Sequence, residues 1–131
     1  YSDTLQLLGR KQALVVRGND CLDEITLCDE TKIVEVKDGK ILEYTIAPEM
    51  FGFKRAFHAD IQGGTPEENA VILLRTLRGE EQSPKSDIVI LNAMFALYTA
   101  HVVKHPMEAK PLIEEAIKSG KVWNAISKLV N

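Results

Sequence analysis

The chain has 131 residues, of which 45% are hydrophobic and 27% are charged, and its formal net charge is −3. This length and composition predict a single globular domain and exclude collagen-like, disordered and disulfide-dense proteins. The 16 basic residues are scattered among 19 acidic ones, which argues against nucleic acid as a partner, because a phosphate backbone rewards clustered Lys and Arg.

The two cysteines and the apolar runs indicate the cellular compartment of the protein. Cys21 and Cys28 match neither a zinc-ribbon nor a thioredoxin-like spacing, so we expect free, reduced thiols. No basic-then-apolar stretch typical of a secretory signal is visible, and the longest apolar run, 88–103, is interrupted by polar residues and shorter than the ~20 residues that span a bilayer. We expect a soluble, cytoplasmic protein without a membrane partner. Because the chain begins Tyr1-Ser2-Asp3 without an initiator methionine and goes straight into an amphipathic stretch, we also expect it to be a piece of a longer protein.

The first half of the chain predicts a short helix and then strands. Leu5, Leu7 and Leu8 are typical of the last turn or two of a helix, which Gly9 closes as a left-handed cap. The continuous apolar run 13–16 predicts a strand that is buried on both faces. Residues 33–46 alternate in polarity around Asp38-Gly39, a pair that supplies the positive φ angles of a type I′ turn, so this stretch predicts a β-hairpin.

The second half predicts helices, and the string Thr-Pro-Glu-Glu at 65–68 marks the start of the first. Thr65 is the expected N-cap, proline occupies the first helical position, and Glu68 completes a capping box. Gly79 is the expected end of this helix. Its predicted inward face consists of Ala70, Leu73, Leu74 and Leu77.

Three further helices follow. The segment from Ser86 to Val103 is apolar around nearly its whole circumference, so we expect it to be the most buried helix. The third helix begins at Pro106 and stops at 119–120, with a predicted inward face of Leu112, Ile113, Ala116 and Ile117. The last helix carries Val122, Trp123, Ile126, Leu129 and Val130. The order of elements predicts a mixed α/β fold: part of a mixed β-sheet with a β-hairpin, followed by a predominantly helical C-terminal half.

The strongest chemical candidate is the segment 17–24, which follows the carboxyl end of the first predicted strand, where open α/β sheets place their ligand sites. Its carboxylates, Asp20, Asp23 and Glu24, lie within five residues beside Gly18, which lets the backbone turn. This group suits a hard cation such as Mg²⁺, which commonly takes one or two protein carboxylates. The alternative is a solvated acidic loop in which Asp23 caps the next element.

The histidines give a weaker signal. His101 and His105 are four residues apart and could both face one metal ion. However, the residue after His101 is not Glu, so the zinc-protease pattern fails, and histidines near a helix C-terminus also interact favourably with its dipole. We therefore favour a structural role for this pair. His58 stands alone and predicts nothing.

Two patterns could in principle meet an anion. Lys54-Arg55 is a basic pair in a predicted loop, and such pairs are usually solvated. Gly63-Gly64 precedes a helix N-terminus that could face a phosphate. The acidic residues at 67–68 already fill that electrostatic role and would repel an anion, so we interpret this turn as structural.

Six segments in a fixed order carry a resemblance to a known family. They are Ala13-Leu14-Val15-Val16 with Gly18, Leu22-Asp23-Glu24, Pro48-Glu49-Met50-Phe51-Gly52 with Lys54-Arg55-Ala56, Gly63-Gly64-Thr65-Pro66-Glu67-Glu68-Asn69-Ala70, Leu91-Asn92-Ala93 through Tyr98, and Ala116-Ile117-Lys118-Ser119-Gly120. Read together, they resemble the C-terminal part of anthranilate phosphoribosyltransferase over essentially the whole chain.

The resemblance implies a reaction and a division of labour. The family transfers ribose 5-phosphate from phosphoribosyl pyrophosphate to the amine of anthranilate in tryptophan biosynthesis and releases pyrophosphate. It combines a small helical N-terminal domain, through which it forms homodimers, with a larger α/β domain. Residues 1–131 would be the C-terminal portion of that α/β phosphoribosyltransferase domain. The helical domain, the diphosphate-binding loop and the anthranilate pocket would lie upstream, so the isolated chain is expected to be inactive.

Only one functional pair carries over by residue. The resemblance implies that Asp23 and Glu24 are ligands of Mg²⁺ bound with the diphosphate. Two positions depart from the family, which usually has His where Arg17 stands and Gly where Cys21 stands. If the loop keeps a positive φ at Cys21, the side chain costs about 1 kcal/mol or more, and otherwise the loop holding the two acids sits differently.

Two alternative functions stay open. One is a transferase-like paralogue that binds nucleic acid or another partner without catalysis, since fold alone does not settle function. The other is a pyrimidine nucleoside phosphorylase, which shares the architecture. The Pro-Glu-Glu-Asn string at 66–69 favours the anthranilate enzyme.

Overall fold

A three-stranded sheet and six α-helices make up the part of the chain that the structure, a computed structural model, describes: residues 1–130 for the backbone and 1–128 for the side chains. The strands are β1 (Gln12–Gly18), β2 (Thr31–Lys37) and β3 (Lys40–Ile46). The helices are α1 (Ser2–Leu7), α2 (His58–Ile61), α3 (Pro66–Arg78), α4 (Pro84–Thr99), α5 (Pro106–Lys118) and α6 (Lys121–Val130), with a 3₁₀ turn at Pro48–Phe51. The mixed α/β fold with a helical second half is confirmed.

The sheet has the order β1-β2-β3, and both strand pairs are antiparallel. Asp38 and Gly39 take φ angles of +48° and +75°, as the type I′ turn requires, so the hairpin is confirmed. β1 differs from its prediction, because most of its residues are half-buried rather than buried on both faces. The physical reason is that β1 is an edge strand, paired only with β2 among the described strands.

α4 lies at the centre of the packing, as predicted. Leu91 and Met94 on this helix are fully buried, and both belong to the main apolar cluster together with residues of the sheet, the 3₁₀ turn and α5. The helix begins two residues earlier than predicted because Ser83 is its N-cap, accepting a hydrogen bond from the Lys85 N–H. It ends at Thr99 rather than at residue 103, and the chain then leaves the helix with a positive φ of 58° at His101.

The inward faces predicted for two other helices are partly wrong. On α3, Leu73 and Leu74 are 53% and 36% exposed, whereas Thr76 is buried. On α5, Leu112 is 53% exposed, although Ile113 next to it is buried. The α3 difference arises because this helix contacts α4, α5 and α6 along the side that Thr76 occupies, and apolar periodicity alone does not say which side the neighbours take. The predicted contacts of Leu129 and Val130 lie outside the described side chains.

A buried polar network joins the sheet to the end of α4. The Glu35 carboxylate accepts hydrogen bonds from the Tyr98 hydroxyl at 2.6 Å and from the Tyr44 hydroxyl at 3.0 Å. Burial and the charge of Glu35 raise the pKa of Tyr44, so the phenol stays protonated and continues to donate. The network therefore satisfies a carboxylate that is only 4% exposed. None of the described helices has the length and apolar composition required to cross a membrane.

Candidate functional site

The acidic loop of residues 18–25 lies at one end of the sheet. Gly18, the last residue of β1, pairs with Thr31 at the start of β2, and Thr31 pairs with Ile46 at the end of β3. The loop therefore stands beside the carboxyl ends of two of the three strands. The predicted position of this loop, after the end of the first strand, is confirmed.

Backbone hydrogen bonds fold the loop into a tight turn. The Gly18 N–H donates to the Leu22 carbonyl at 2.9 Å, and the Cys21 N–H donates to the Gly18 carbonyl at 3.0 Å. Glycine at residue 18 leaves room for the Asp20 carboxylate, because a Cβ there would approach the Oδ1 atom of Asp20 so closely that the carboxylate would have to move. Cys21 has a φ of +74°, so the loop keeps the left-handed conformation at a cost of about 1 kcal/mol.

Asp20 points into the protein and organises the loop. Its side chain is only 4% exposed. The Oδ2 atom accepts a hydrogen bond from the Thr26 hydroxyl at 2.6 Å, and the Oδ1 atom accepts one from the Leu22 N–H at 3.3 Å. Of the three carboxylates in this segment, the Asp20 side chain is therefore buried, whereas Asp23 and Glu24 are exposed.

Asn92 fixes the position where the loop ends. Its side-chain oxygen accepts a hydrogen bond from the Ile25 N–H at 3.0 Å, and its amide donates to the Ile25 carbonyl at 2.8 Å. Ile25 directly follows the two predicted metal ligands, so α4 holds their backbone in place. Sequence reasoning missed this role, although an amide within the most apolar helix was a usable signal.

Asp23 and Glu24 point outward. Both residues are exposed, and neither belongs to an ion pair among the residues that the structure describes. Partial burial, followed by the negative charges of Asp23 and Asp20, raises the pKa of the Glu24 carboxyl. Because the acids repel each other, a bound cation would stabilise this arrangement. Two carboxylates with free oxygens are the kind of donors that Mg²⁺ prefers, so the residues fit the predicted ion.

A groove of about 420 Å³ adjoins Glu24. Its lining includes Glu24 from the acidic loop, His58 and Gln62 from the α2 region, and Gly63 from the turn before α3. Asp23 is not part of the lining. A ligand in the groove would therefore meet the Glu24 side of the pair.

The glycine turn before α3 is structural, as predicted. The Gly64 N–H donates to the Asn69 side-chain oxygen at 2.8 Å, and the Asn69 amide donates back to the Gly64 carbonyl at 3.1 Å. The Glu68 carboxylate accepts from the Thr65 N–H at 2.7 Å, which completes the capping box. These side chains occupy the helix N-terminus, so it is not open to an anion.

The two residues of the basic pair at 54–55 have different surroundings. Lys54 is exposed. Arg55 bonds Glu49 at 2.9 Å and reaches Asp29 at 3.4 Å, and its guanidinium lowers the pKa of Glu49. The prediction of a solvated basic pair thus misses the ion pairs of Arg55, because sequence spacing does not show that the loop brings acids from two segments beside it.

The remaining candidates from the sequence are the histidines and the cysteines. His101 lies beyond the end of α4, whereas His105 is the N-cap of α5 and accepts a hydrogen bond from the Met107 N–H. They do not share a helix face, which agrees with the structural role favoured above. Cys21 and Cys28 are both free thiols, as predicted. His58 carried no signal in the sequence, yet it lies 3.8 Å from the Asp20 carboxylate.

Comparisons with known proteins agree with this architecture. The model of the family described as "Glycosyl transferase family, a/b domain" matches residues 1–123. The anthranilate phosphoribosyltransferase of Methanosarcina barkeri is 50% identical over 115 residues, which is 88% of this chain. That of Lacticaseibacillus paracasei is 43% identical over 129 residues, or 98% of this chain. The crystal structure of the Thermus thermophilus enzyme superimposes with a TM-score of 0.85 at 36% identity over 97% of this chain.

The chain spans only part of these relatives. The matched segment is 31% of the Methanosarcina protein and 38% of the Lacticaseibacillus protein. In the Thermus structure it covers 37% of that chain. The matched segment therefore covers almost all of this chain and about one third of each relative.

Proposed function

Because this chain belongs to the glycosyl transferase family, in its a/b domain, we propose that it is part of an anthranilate phosphoribosyltransferase. The observation that carries the proposal is identity over nearly the whole chain: 43% over 129 residues to one such enzyme, and 50% over 115 to another. These relatives favour the anthranilate enzyme over the phosphorylase and the non-catalytic paralogue.

The reaction we propose for the complete protein transfers the phosphoribosyl group of phosphoribosyl pyrophosphate to the amine of anthranilate. The bond between the ribose C1 and the diphosphate oxygen breaks, a bond from C1 to the anthranilate nitrogen forms, and pyrophosphate leaves. Such a reaction depends on holding two substrates in register. We propose that this chain is the C-terminal portion of the α/β domain, and that the remaining contacts to the substrates come from other parts of the protein. We further propose a homodimer through an N-terminal helical domain.

We assign Asp23 and Glu24 as ligands of Mg²⁺. The support is their exposure, their lack of ion-pair partners among the described residues, and the raised pKa of Glu24, which partial burial causes first and the negative charges of Asp23 and Asp20 second. When bound, the ion supplies neutralising charge for the leaving diphosphate. The groove beside Glu24 gives the ligand a place next to the acids.

Two further residues, Asp20 in the loop and Asn92 on α4, position these two carboxylates. Asp20 holds the turn through Thr26 and the Leu22 N–H, and Asn92 holds the backbone of Ile25. Because both anchors lie behind the loop, the carboxylates remain free to meet a ligand without reorganising the backbone. Preorganised charge of this kind is the main way in which proteins catalyse transfers that release phosphate groups.

The test is a matched pair of double variants in the full-length protein. Asp23→Asn with Glu24→Gln should lower kcat/KM by about 100-fold or more and raise the Mg²⁺ concentration needed for half-maximal rate. The control is Glu114→Gln with Glu115→Gln, which neutralises two adjacent exposed acids on α5 and should leave both quantities unchanged. Unaltered Mg²⁺ dependence in the first variant would show that these acids are not ligands.

The activity assay also separates the alternative functions. Full-length wild-type protein should consume anthranilate only when phosphoribosyl pyrophosphate is present. Phosphorolysis of a pyrimidine nucleoside without anthranilate turnover would favour the phosphorylase instead. The 131-residue chain alone should show no turnover, and measurable activity there would contradict the proposed division of labour.

A further inference from the structure

Three side chains with different metal-binding chemistry meet behind the acidic loop. They are Asp20 from the loop after β1, Cys28 from the segment before β2, and His58 at the start of α2. One ligand atom from each lies within 4.8 Å of the other two. Among the described residues, this is the one group of three such side chains that comes so close together.

The donor set points to a transition metal rather than to magnesium. A thiolate, an imidazole nitrogen and a carboxylate oxygen are the ligands of Zn²⁺ and Co²⁺, with a water molecule free to complete a four-coordinate site. Mg²⁺, in contrast, avoids sulfur. We propose that Asp20, Cys28 and His58 form a binding site for a divalent transition metal such as Zn²⁺, separate from the site assigned to Asp23 and Glu24.

Two of the three ligands are already held in place. Thr26 donates its hydroxyl to Asp20 at 2.6 Å and accepts the Cys28 N–H at 2.9 Å, so one side chain positions both. Asp20 is 4% exposed, and its carboxylate oxygens retain lone pairs beyond the hydrogen bonds that they accept. The site is therefore partly preorganised before an ion arrives.

The third ligand can close the site. The His58 side chain is 63% exposed, and its Nε2 atom lies 3.8 Å from Asp20 Oδ2. Ligands of one tetrahedral zinc ion lie about 3.5 Å apart, so a separation of up to 4.8 Å closes with shifts of roughly an ångström. Binding would release the thiol proton of Cys28 to solvent, because the thiolate is the ligand. It would also tie α2 to the loop after β1.

The experiment is a Co²⁺ titration of the reduced 131-residue chain, followed by displacement with Zn²⁺. We expect one equivalent of Co²⁺ to bind with a near-ultraviolet thiolate-to-cobalt charge-transfer band, and Zn²⁺ to abolish that band. Cys28→Ser should remove the band, and His58→Asn should weaken Co²⁺ binding by about 10-fold or more. No band in the wild-type chain would overturn the proposal.

The chain offers matched controls for each ligand. Cys21→Ser removes the other thiol, and His101→Asn replaces an exposed histidine at a positive φ that Asn tolerates. Both should bind Co²⁺ as the wild type does. A band that survives Cys28→Ser, or an affinity unaffected by His58→Asn, would overturn the assignment.

A further control separates this site from the magnesium site. Asp23→Asn with Glu24→Gln should keep the cobalt band at full strength, and its loss would mean that the ion sits on the acidic pair instead. Because Asp20 also organises the loop, Asp20→Asn could unfold it, so the decision rests on Cys28 and His58. Zn²⁺ should raise the melting temperature of the wild type and not that of Cys28→Ser.

Discussion

Two asparagines in this chain hold backbone segments in the same way but in different surroundings. Asn92 bonds both the N–H and the carbonyl of Ile25, at 3.0 and 2.8 Å. Asn69 bonds both groups of Gly64, at 2.8 and 3.1 Å. Ile25 is 2% exposed, whereas Gly64 lies on the surface.

We call these two asparagines, Asn92 and Asn69, the clamps. The acidic residues beside the two clamps have different roles. Next to Gly64, the Glu68 carboxylate is bonded to the Thr65 N–H and so serves its own helix. Next to Ile25, Glu24 has no ion-pair partner among the described residues and faces solvent. A carboxylate is free to bind a ligand where other groups fix its backbone. Glu68 therefore stabilises its own helix, whereas Glu24 is available to a ligand.

The largest difference between the two regions should appear in the helices behind them. Leu91→Ala on α4 should lower the free energy of unfolding by about 2–5 kcal/mol, because the side chain is fully buried. Leu73→Ala on α3 is the same substitution at a 53% exposed position, and it should cost less than about 0.5 kcal/mol. Urea unfolding of the 131-residue chain measures both. Equal losses would mean that α3 is buried in solution and that the two regions do not differ.

Local rules predicted much of this fold. The I′ turn at Asp38-Gly39, the Thr65 capping box and the apolar circumference of α4 all reside in short stretches of sequence, and the structure confirms each. The exposed faces of α3 and α5 were not predictable in this way. A periodic pattern identifies an apolar side, but the neighbours that cover it are set by the packing of distant elements.

The candidate site shows the same difference between what short stretches of sequence predict and what distant contacts decide. The spacing selected Asp20, Asp23 and Glu24, and the resemblance selected the last two. The structure leaves these two exposed in the loop after β1. The inward turn of Asp20 was not foreseen, because it depends on Thr26 and on a glycine that admits the carboxylate. Asn92 lies 67 residues beyond the backbone that it holds, and contacts of that range cannot be derived from a single sequence.

A second, smaller effect tests the clamps directly. Asn92→Ala should destabilise the chain by about 1–3 kcal/mol, because it leaves the buried N–H and carbonyl of Ile25 without partners. Asn69→Ala should cost less than about 0.5 kcal/mol, since water replaces the bonds to the exposed Gly64. Urea unfolding again gives both values. If the two variants lose the same stability, burial does not distinguish the clamps.

The smallest expected effect is the change in stability when an acid is replaced by Gln, and its sign differs between the two regions. Glu68→Gln should lower stability at pH 7 by about 0.3–1 kcal/mol, because it removes a negative charge from the N-terminus of α3. Glu24→Gln should instead raise stability, by less than about 0.5 kcal/mol. The reason is that partial burial, Asp23 and Asp20 raise the pKa of Glu24, so its charged form is disfavoured in the folded chain.

The pH dependence identifies the cause of that gain. A carboxyl whose pKa is higher in the folded than in the unfolded state stabilises the fold fully below its unfolded pKa, and loses this contribution as the pH rises through the folded value. The advantage of Gln at position 24 should therefore be present at pH 7 and vanish below about pH 4, where both forms are uncharged. Urea unfolding of wild type and Glu24→Gln across this range measures it. A gain that persists at low pH would mean that packing, and not the partial burial and neighbouring charges that raise the pKa of Glu24, distinguishes Glu24 from Glu68.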